Sequence, residues 1–177
     1  KILSQLESIK ESLQQAGLYD RFSAELKVLR CYYYYTLFDS FGRIPYLDSY
    51  SSAAVPQSEP WEVWNKLVTL LEEEAPKLPA ITDANRAENY GRCSQGMAYT
   101  LLARLYLNAV SYGVTAQNCG IEGINREEDF YKRCQEFCQK VIDSGSYKIE
   151  DDFFANFKIQ NEGSRENIFV IVENGNA

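Results

Sequence analysis

Ala24-Glu25-Leu26-Lys27-Val28-Leu29-Arg30-Cys31-Tyr32-Tyr33-Tyr34-Tyr35-Thr36-Leu37-Phe38-Asp39 is the stretch on which the fold turns. Leu26, Leu29, Tyr33 and Leu37 recur at helical spacing, and Val28, Tyr32, Tyr34 and Tyr35 fill the positions between them. The spacing predicts a helix over 23–39 with little polar face, and such a helix has to be buried on most sides. Phe41-Gly42-Arg43-Ile44-Pro45 breaks it, and 45–57 reads as a Ser-, Tyr- and Pro-containing loop.

Outward from this helix, Ile2, Leu6, Ile9 and Leu13 predict an amphipathic helix over 1–16, stopped at Ala16-Gly17. Downstream, Ser58-Glu59-Pro60 supplies a capping residue and an early proline ahead of Val63, Leu67, Leu70, Leu71 and Ala75. That helix ends near Pro76–Pro79, and 80–91 is polar loop. Ser94 caps a helix carrying Ala98, Leu101, Leu102, Leu105 and Ala109, in which Gly96, Ala98 and Ala103 permit close approach. After a loop at 111–124, Asn125-Arg126-Glu127-Glu128 has capping-box spacing before Phe130, Cys134, Phe137 and Val141, and Gly145 closes that helix. Ile168-Phe169-Val170-Ile171-Val172 is a strand-like run with no evident partner. The last four helices start near 23, 59, 94 and 126, about 35 residues apart, close to the tetratricopeptide period. The fold class expected is all-α: a tetratricopeptide-like helical repeat scaffold with long connections and a short terminal β-strand. A standard repeat fits two helices into that period, whereas each period here holds one helix and a long connection.

The chain has 177 residues, 45 % of them hydrophobic, enough for one core, and carries 18 Lys plus Arg against 25 Asp plus Glu, a net charge of −7. That balance disfavours nucleic acid and other phosphate-rich partners. No apolar run reaches the roughly 18 residues that span a bilayer, and Lys1-Ile2-Leu3-Ser4-Gln5 has no signal-peptide character. Residues 1–177 are expected to be a single helical core segment of a longer protein, truncated at both termini. The absence of histidine removes the usual general base, the Ser/His and Cys/His dyads and most zinc-site types.

Three motifs, read together, resemble the SusD/RagB family of glycan-capturing outer-membrane lipoproteins. The first runs from Ala24 through Tyr34 and on through Leu37-Phe38-Asp39-Ser40-Phe41-Gly42-Arg43-Ile44-Pro45; the second is Arg92-Cys93-Ser94-Gln95-Gly96-Met97-Ala98-Tyr99-Thr100-Leu101-Leu102-Ala103-Arg104-Leu105-Tyr106-Leu107; the third is Val141-Ile142-Asp143-Ser144-Gly145-Ser146-Tyr147 with Glu166-Asn167-Ile168-Phe169. Glu62-Val63-Trp64 and Leu78-Pro79 stand between the first and second motifs. The resemblance implies a tetratricopeptide-like core, an oligosaccharide ligand, a SusC-like TonB-dependent transporter as partner, and a cell-surface location at the outer membrane through a lipid anchor outside this segment. The alternative function is a tetratricopeptide-type protein-interaction scaffold without glycan binding.

No catalytic residue, metal or cofactor is expected. Glu72-Glu73-Glu74 reads as the solvated face of a helix, Glu127-Glu128-Asp129 as a favourably charged helix start, and Asp151-Asp152 as loop, so none forms an acid/base pair. Cys31, Cys134 and Cys138 read as small apolar fillers and Cys119 as the cysteine most open to solvent. Sugar rings stack on aromatic planes, which makes aromatics on loops the candidate platforms. Tyr32 to Tyr35, Trp64, Tyr99 and Tyr106 fall at core spacing. Arg43, Tyr46, Tyr50 and Trp61, in or beside the 42–61 connection, and Tyr112 are the candidate ligand-binding residues.

Overall fold

The computed structural model describes residues 1–49, 51 and 53–172. Among them are six α-helices: α1 (Ile2–Ser8), α2 (Lys10–Gln15), α3 (Tyr19–Phe41), α4 (Pro60–Glu74), α5 (Gln95–Leu107) and α6 (Glu127–Asp143). A two-residue antiparallel pair, β1 (Ile44–Pro45) with β2 (Gln57–Ser58), joins the ends of the α3–α4 connection. The all-helical expectation holds. The single helix expected over 1–16 is two, divided at Ile9, whose φ of −114° and ψ of 16° leave the helical region.

The helix boundaries follow local chemistry. Ser94 Oγ accepts from Met97 N–H and caps α5. At α4, Glu59 is the N-cap, its backbone N–H donating to Glu62 at 2.9 Å, with Pro60 in the first turn where no N–H is missed. At α6 the reciprocal group is Asp129, one residue beyond the expected Glu128; it accepts from the backbone N–H groups of Asn125 and Arg126.

The core lies where α3, α4, α5 and α6 meet. Ala24, Val28, Cys31, Tyr35 and Phe38 face inward from α3, Val63, Trp64, Leu67, Val68 and Leu71 from α4, and Leu101, Leu102, Leu105 and Tyr106 from α5. Trp64 is fully buried, stands edge-on to Tyr106 and Phe130, and donates its indole N–H to Leu105 O at 2.8 Å, so its one polar atom is satisfied.

Three expectations are corrected by this packing. Glu74 is not part of a solvated face: it is 1 % exposed, with Lys27 Nζ at 2.5 Å and Lys77 Nζ at 3.1 Å, which compensates the buried carboxylate with two ammonium groups. The run Ile168–Val172 forms no strand; a ladder needs a partner, and Phe169 instead stands edge-on to Tyr32, 5.5 Å between ring centres. Tyr33, expected in the core, is 55 % exposed, while Tyr32 and Tyr34 are half-buried.

Candidate functional site

The three sequence motifs meet in space. Glu25 of the first accepts Arg92 of the second through both carboxylate oxygens, at 2.7 and 3.2 Å, and Arg21 Nε joins the same carboxylate at 3.1 Å. Arg21 also donates to Asn89, so α3 is tied to the loop before α5 by a connected set of charge-assisted bonds. Tyr147 of the third motif lies against Gly96 and within 3.2 Å of Ser94 Oγ, the α5 cap. Ser146 Oγ donates to Ile81 O and Arg86 donates to Ser146 O, fixing this segment against the 80–91 loop.

The α3–α4 connection carries most of the candidate ligand residues, and its base is clamped. Ile44 pairs with Ser58 and Pro45 with Gln57, and the Arg43 guanidinium meets both oxygens of Glu59, at 2.7 and 3.0 Å. The next residues are pinned to the helices: Leu47 N–H donates to Tyr34 Oη at 3.1 Å, Arg30 donates to Asp48 O at 3.0 Å, and Lys66 pairs with Asp48 at 3.2 Å.

Tyr46 belongs to this clamp. It is 7 % exposed; its ring packs on Tyr34 at 4.5 Å, Lys66 Nζ lies 4.6 Å from its ring centre, and Arg30 donates to its hydroxyl. Burial pushes its phenol up to about 12. The expectation of a solvent-facing Tyr46 is therefore corrected: side chains of α3 and α4 cover the ring that a sugar would need. Tyr50 lies outside the described residues. Arg43 is exposed and Trp61 half-buried at the start of α4. Tyr112, in the turn after α5, donates to Asp39 at 2.5 Å and packs on Phe38. The C-terminal end of α3 thus carries Asp39, joined to Tyr112, and Phe41, with Arg43 just beyond it joined to Glu59 at the start of α4. Phe41, 74 % exposed, was missed because it reads as the last residue before a helix break. Such an end offers aromatic surface beside oriented carboxylate and guanidinium groups, the two components a neutral polar ring recognises.

Cys119 is buried, because Asn65 accepts from Gly120 N–H and donates to Asn118 O, drawing the loop onto α4. The exposed cysteine is Cys138, with Cys134 half-buried one turn before it, so of the three expected fillers only Cys31 is fully enclosed.

No protein-family model matches the chain. The starch-binding protein SusD of Bacteroides thetaiotaomicron is 26 % identical over 139 residues, covering 78 % of this chain and 22 % of that protein. The surface glycan-binding protein A of Bacteroides uniformis superposes with a TM-score of 0.67 at 24 % identity over 85 % of this chain and 30 % of its own. A SusD-like protein of Bacteroides fragilis gives 0.64 at 21 % identity, over 85 % and 27 %. The chain thus matches between about a fifth and a third of the length of these proteins. In sequence the chain is thus similar to a starch-binding SusD, and in fold to solved SusD-like and surface glycan-binding proteins.

Proposed function

We propose that this chain is the helical core segment of a longer cell-surface protein that binds oligosaccharide and passes it to a SusC-like TonB-dependent transporter in the outer membrane, held there by a lipid anchor outside residues 1–177. The observation that carries this reading is the likeness to a starch-binding protein over 78 % of the chain. The mechanism is binding and hand-over, with no bond broken. Within the segment, Arg43, Trp61 and Tyr112 are the residues assigned to ligand contact: Trp61 supplies a face for stacking, while Arg43, oriented by Glu59, and Asp39, oriented by Tyr112, take hydroxyl groups.

Isothermal titration of the full-length protein against starch-derived and other oligosaccharides tests the reading, together with affinity capture from outer-membrane extract. Saturable heat with one glycan class and recovery of a TonB-dependent transporter are expected. Silence across the panel would sink the glycan assignment, and capture of the transporter alone would leave the protein-interaction scaffold as the function.

A further inference from the structure

Cys134 and Cys138 lie one turn apart on α6, so their side chains share a face of that helix. Both thiols are free; Cys138 is exposed, and Cys134 is half-buried against the margin of the core. The helix neighbours three and four positions away from either cysteine are Phe130, Tyr131, Gln135, Phe137, Val141 and Ile142, none of them charged. The spacing selects what can join the two sulfurs. Side chains one turn apart on a helix hold their Cβ atoms about 5–6 Å apart, whereas a disulfide needs roughly 3.5–4.5 Å. A direct S–S bond would have to distort α6. A single atom bonded to both sulfurs lengthens the bridge and leaves the helix as it is.

Ligand number and charge narrow the class of that atom. Among the described residues no group of three or more His, Cys, Asp or Glu side chains is placed to hold a metal ion, so the four protein ligands of a structural zinc site are not assembled around this pair. The bridging atom has to be satisfied by two thiols and bring its remaining substituent with it. Burial, and then the neighbouring Cys138 thiol, pushes the Cys134 thiol up, which keeps it protonated at neutral pH. A metal cation has to release both thiol protons to solvent. An uncharged thiophilic centre that carries oxygen does not, because the oxygen takes the two protons and departs as water.

We propose that Cys134 and Cys138 form a dithiol site for an uncharged trivalent arsenical, a soft metalloid centre bridged between the two Sγ atoms along α6. In the binding step R–As=O and two thiols give R–As(S–Cys)₂ and one water. Two As–S bonds form, the arsenic–oxygen bond breaks, both thiol protons leave on that oxygen, and the arsenic stays trivalent, so no oxidant or reductant takes part. The substituent R fills the third position, which removes the need for a third protein ligand. The site stands whether or not the protein binds glycan, since neither cysteine is among the residues assigned to ligand contact.

Phenylarsine oxide is the probe, titrated at neutral pH against the reduced full-length protein and followed by intact mass and peptide mapping. The parent is expected to take up an equivalent that bridges Cys134 and Cys138, shields both from maleimide, and is removed by excess small dithiol. Cys134→Ser and Cys138→Ser should each weaken that uptake about a hundredfold or more, because the second As–S bond forms at the effective concentration of a tethered thiol. Gln139→Cys added to Cys138→Ser restores the number of thiols but sets the second one on another side of α6, and should remain as weak as Cys138→Ser alone. Cys138 is exposed, so these last two variants are expected to melt with the parent. Uptake by the single variants or by the displaced thiol as tight as that of the parent overturns the proposal. So does arsenic found on Cys31, Cys93 or Cys119 in place of the pair, or no uptake at all.

Discussion

Gly96 stands so close to Tyr147 that a Cβ added at position 96 would lie 2.7 Å from Tyr147 Cζ, inside the contact limit of real side chains. Two terms oppose one another in Gly96→Ala. Alanine gains about 1 kcal/mol of helix propensity over glycine in α5, while overpacking costs about 1–3 kcal/mol. Tyr147 is also held at Ser94, so the clash is expected to win. Gly96→Ala should lower stability by about 1 kcal/mol in urea unfolding, and become neutral or stabilising in a Tyr147→Ala background. Additive single and double variants would show that the contact carries no energy.

The Arg92–Glu25 pair separates charge from geometry. Lysine at 92 keeps the charge but cannot engage both oxygens of Glu25. Arg92→Lys is expected to cost about 1 kcal/mol and Arg92→Ala about 2, since Glu25 then keeps only Arg21. Equal stability of the lysine variant and the parent would show that the fork geometry contributes nothing.

The thiols should react in the order of their enclosure. Burial pushes Cys31 and Cys93 up to about 12, so neither presents thiolate at neutral pH. Mass spectrometry after brief alkylation of the folded protein is expected to find the label on Cys138 first, and on Cys31 and Cys93 only in denaturant. Early modification of Cys119 would contradict the burial of its loop.

Asp129 gives a pH test of the α6 start. Its hydrogen bond from Lys132, then those from the Asn125 and Arg126 backbone, hold its carboxyl at about 2, against 3.8 ordinarily. A depressed carboxylate stabilises the fold fully above its unfolded value and loses that contribution as pH falls through the folded one. Asp129→Asn should therefore melt below the parent at pH 7, with the gap closing between about pH 4 and pH 2. A gap independent of pH would assign the loss to packing.

Chemistry confined to a few neighbouring residues was legible from the sequence. The Ser94 cap, the Pro60 start and the stop at Gly145, with its φ of 63°, depend on positions within a turn of one another. What escaped depends on distant partners. The burial of Glu74 is set by Lys27, 47 positions away, and that of Tyr46 by Arg30, Tyr34 and Lys66 on two helices. The exposure of Tyr33 escaped for a related reason: helical periodicity marks a position as apolar without saying which faces of the helix other elements cover. At the candidate site, residue type and loop position singled out Arg43, Trp61 and Tyr112 as candidates, but the Asp39 partner of Tyr112 lies 73 positions away and became visible only in the fold.

The clamp at the base of the α3–α4 connection has a consequence for descent. With Ile44–Pro45 hydrogen-bonded to Gln57–Ser58 and Arg43 gripping Glu59, the two ends of the intervening chain are held at a fixed separation whatever lies between. Doubling the length of such a loop adds only about 0.6 kcal/mol of closure entropy. Insertions and replacements beyond Asp48 can then accumulate without disturbing the bundle, so that lineages are free to diversify this segment while inheriting the helices unchanged.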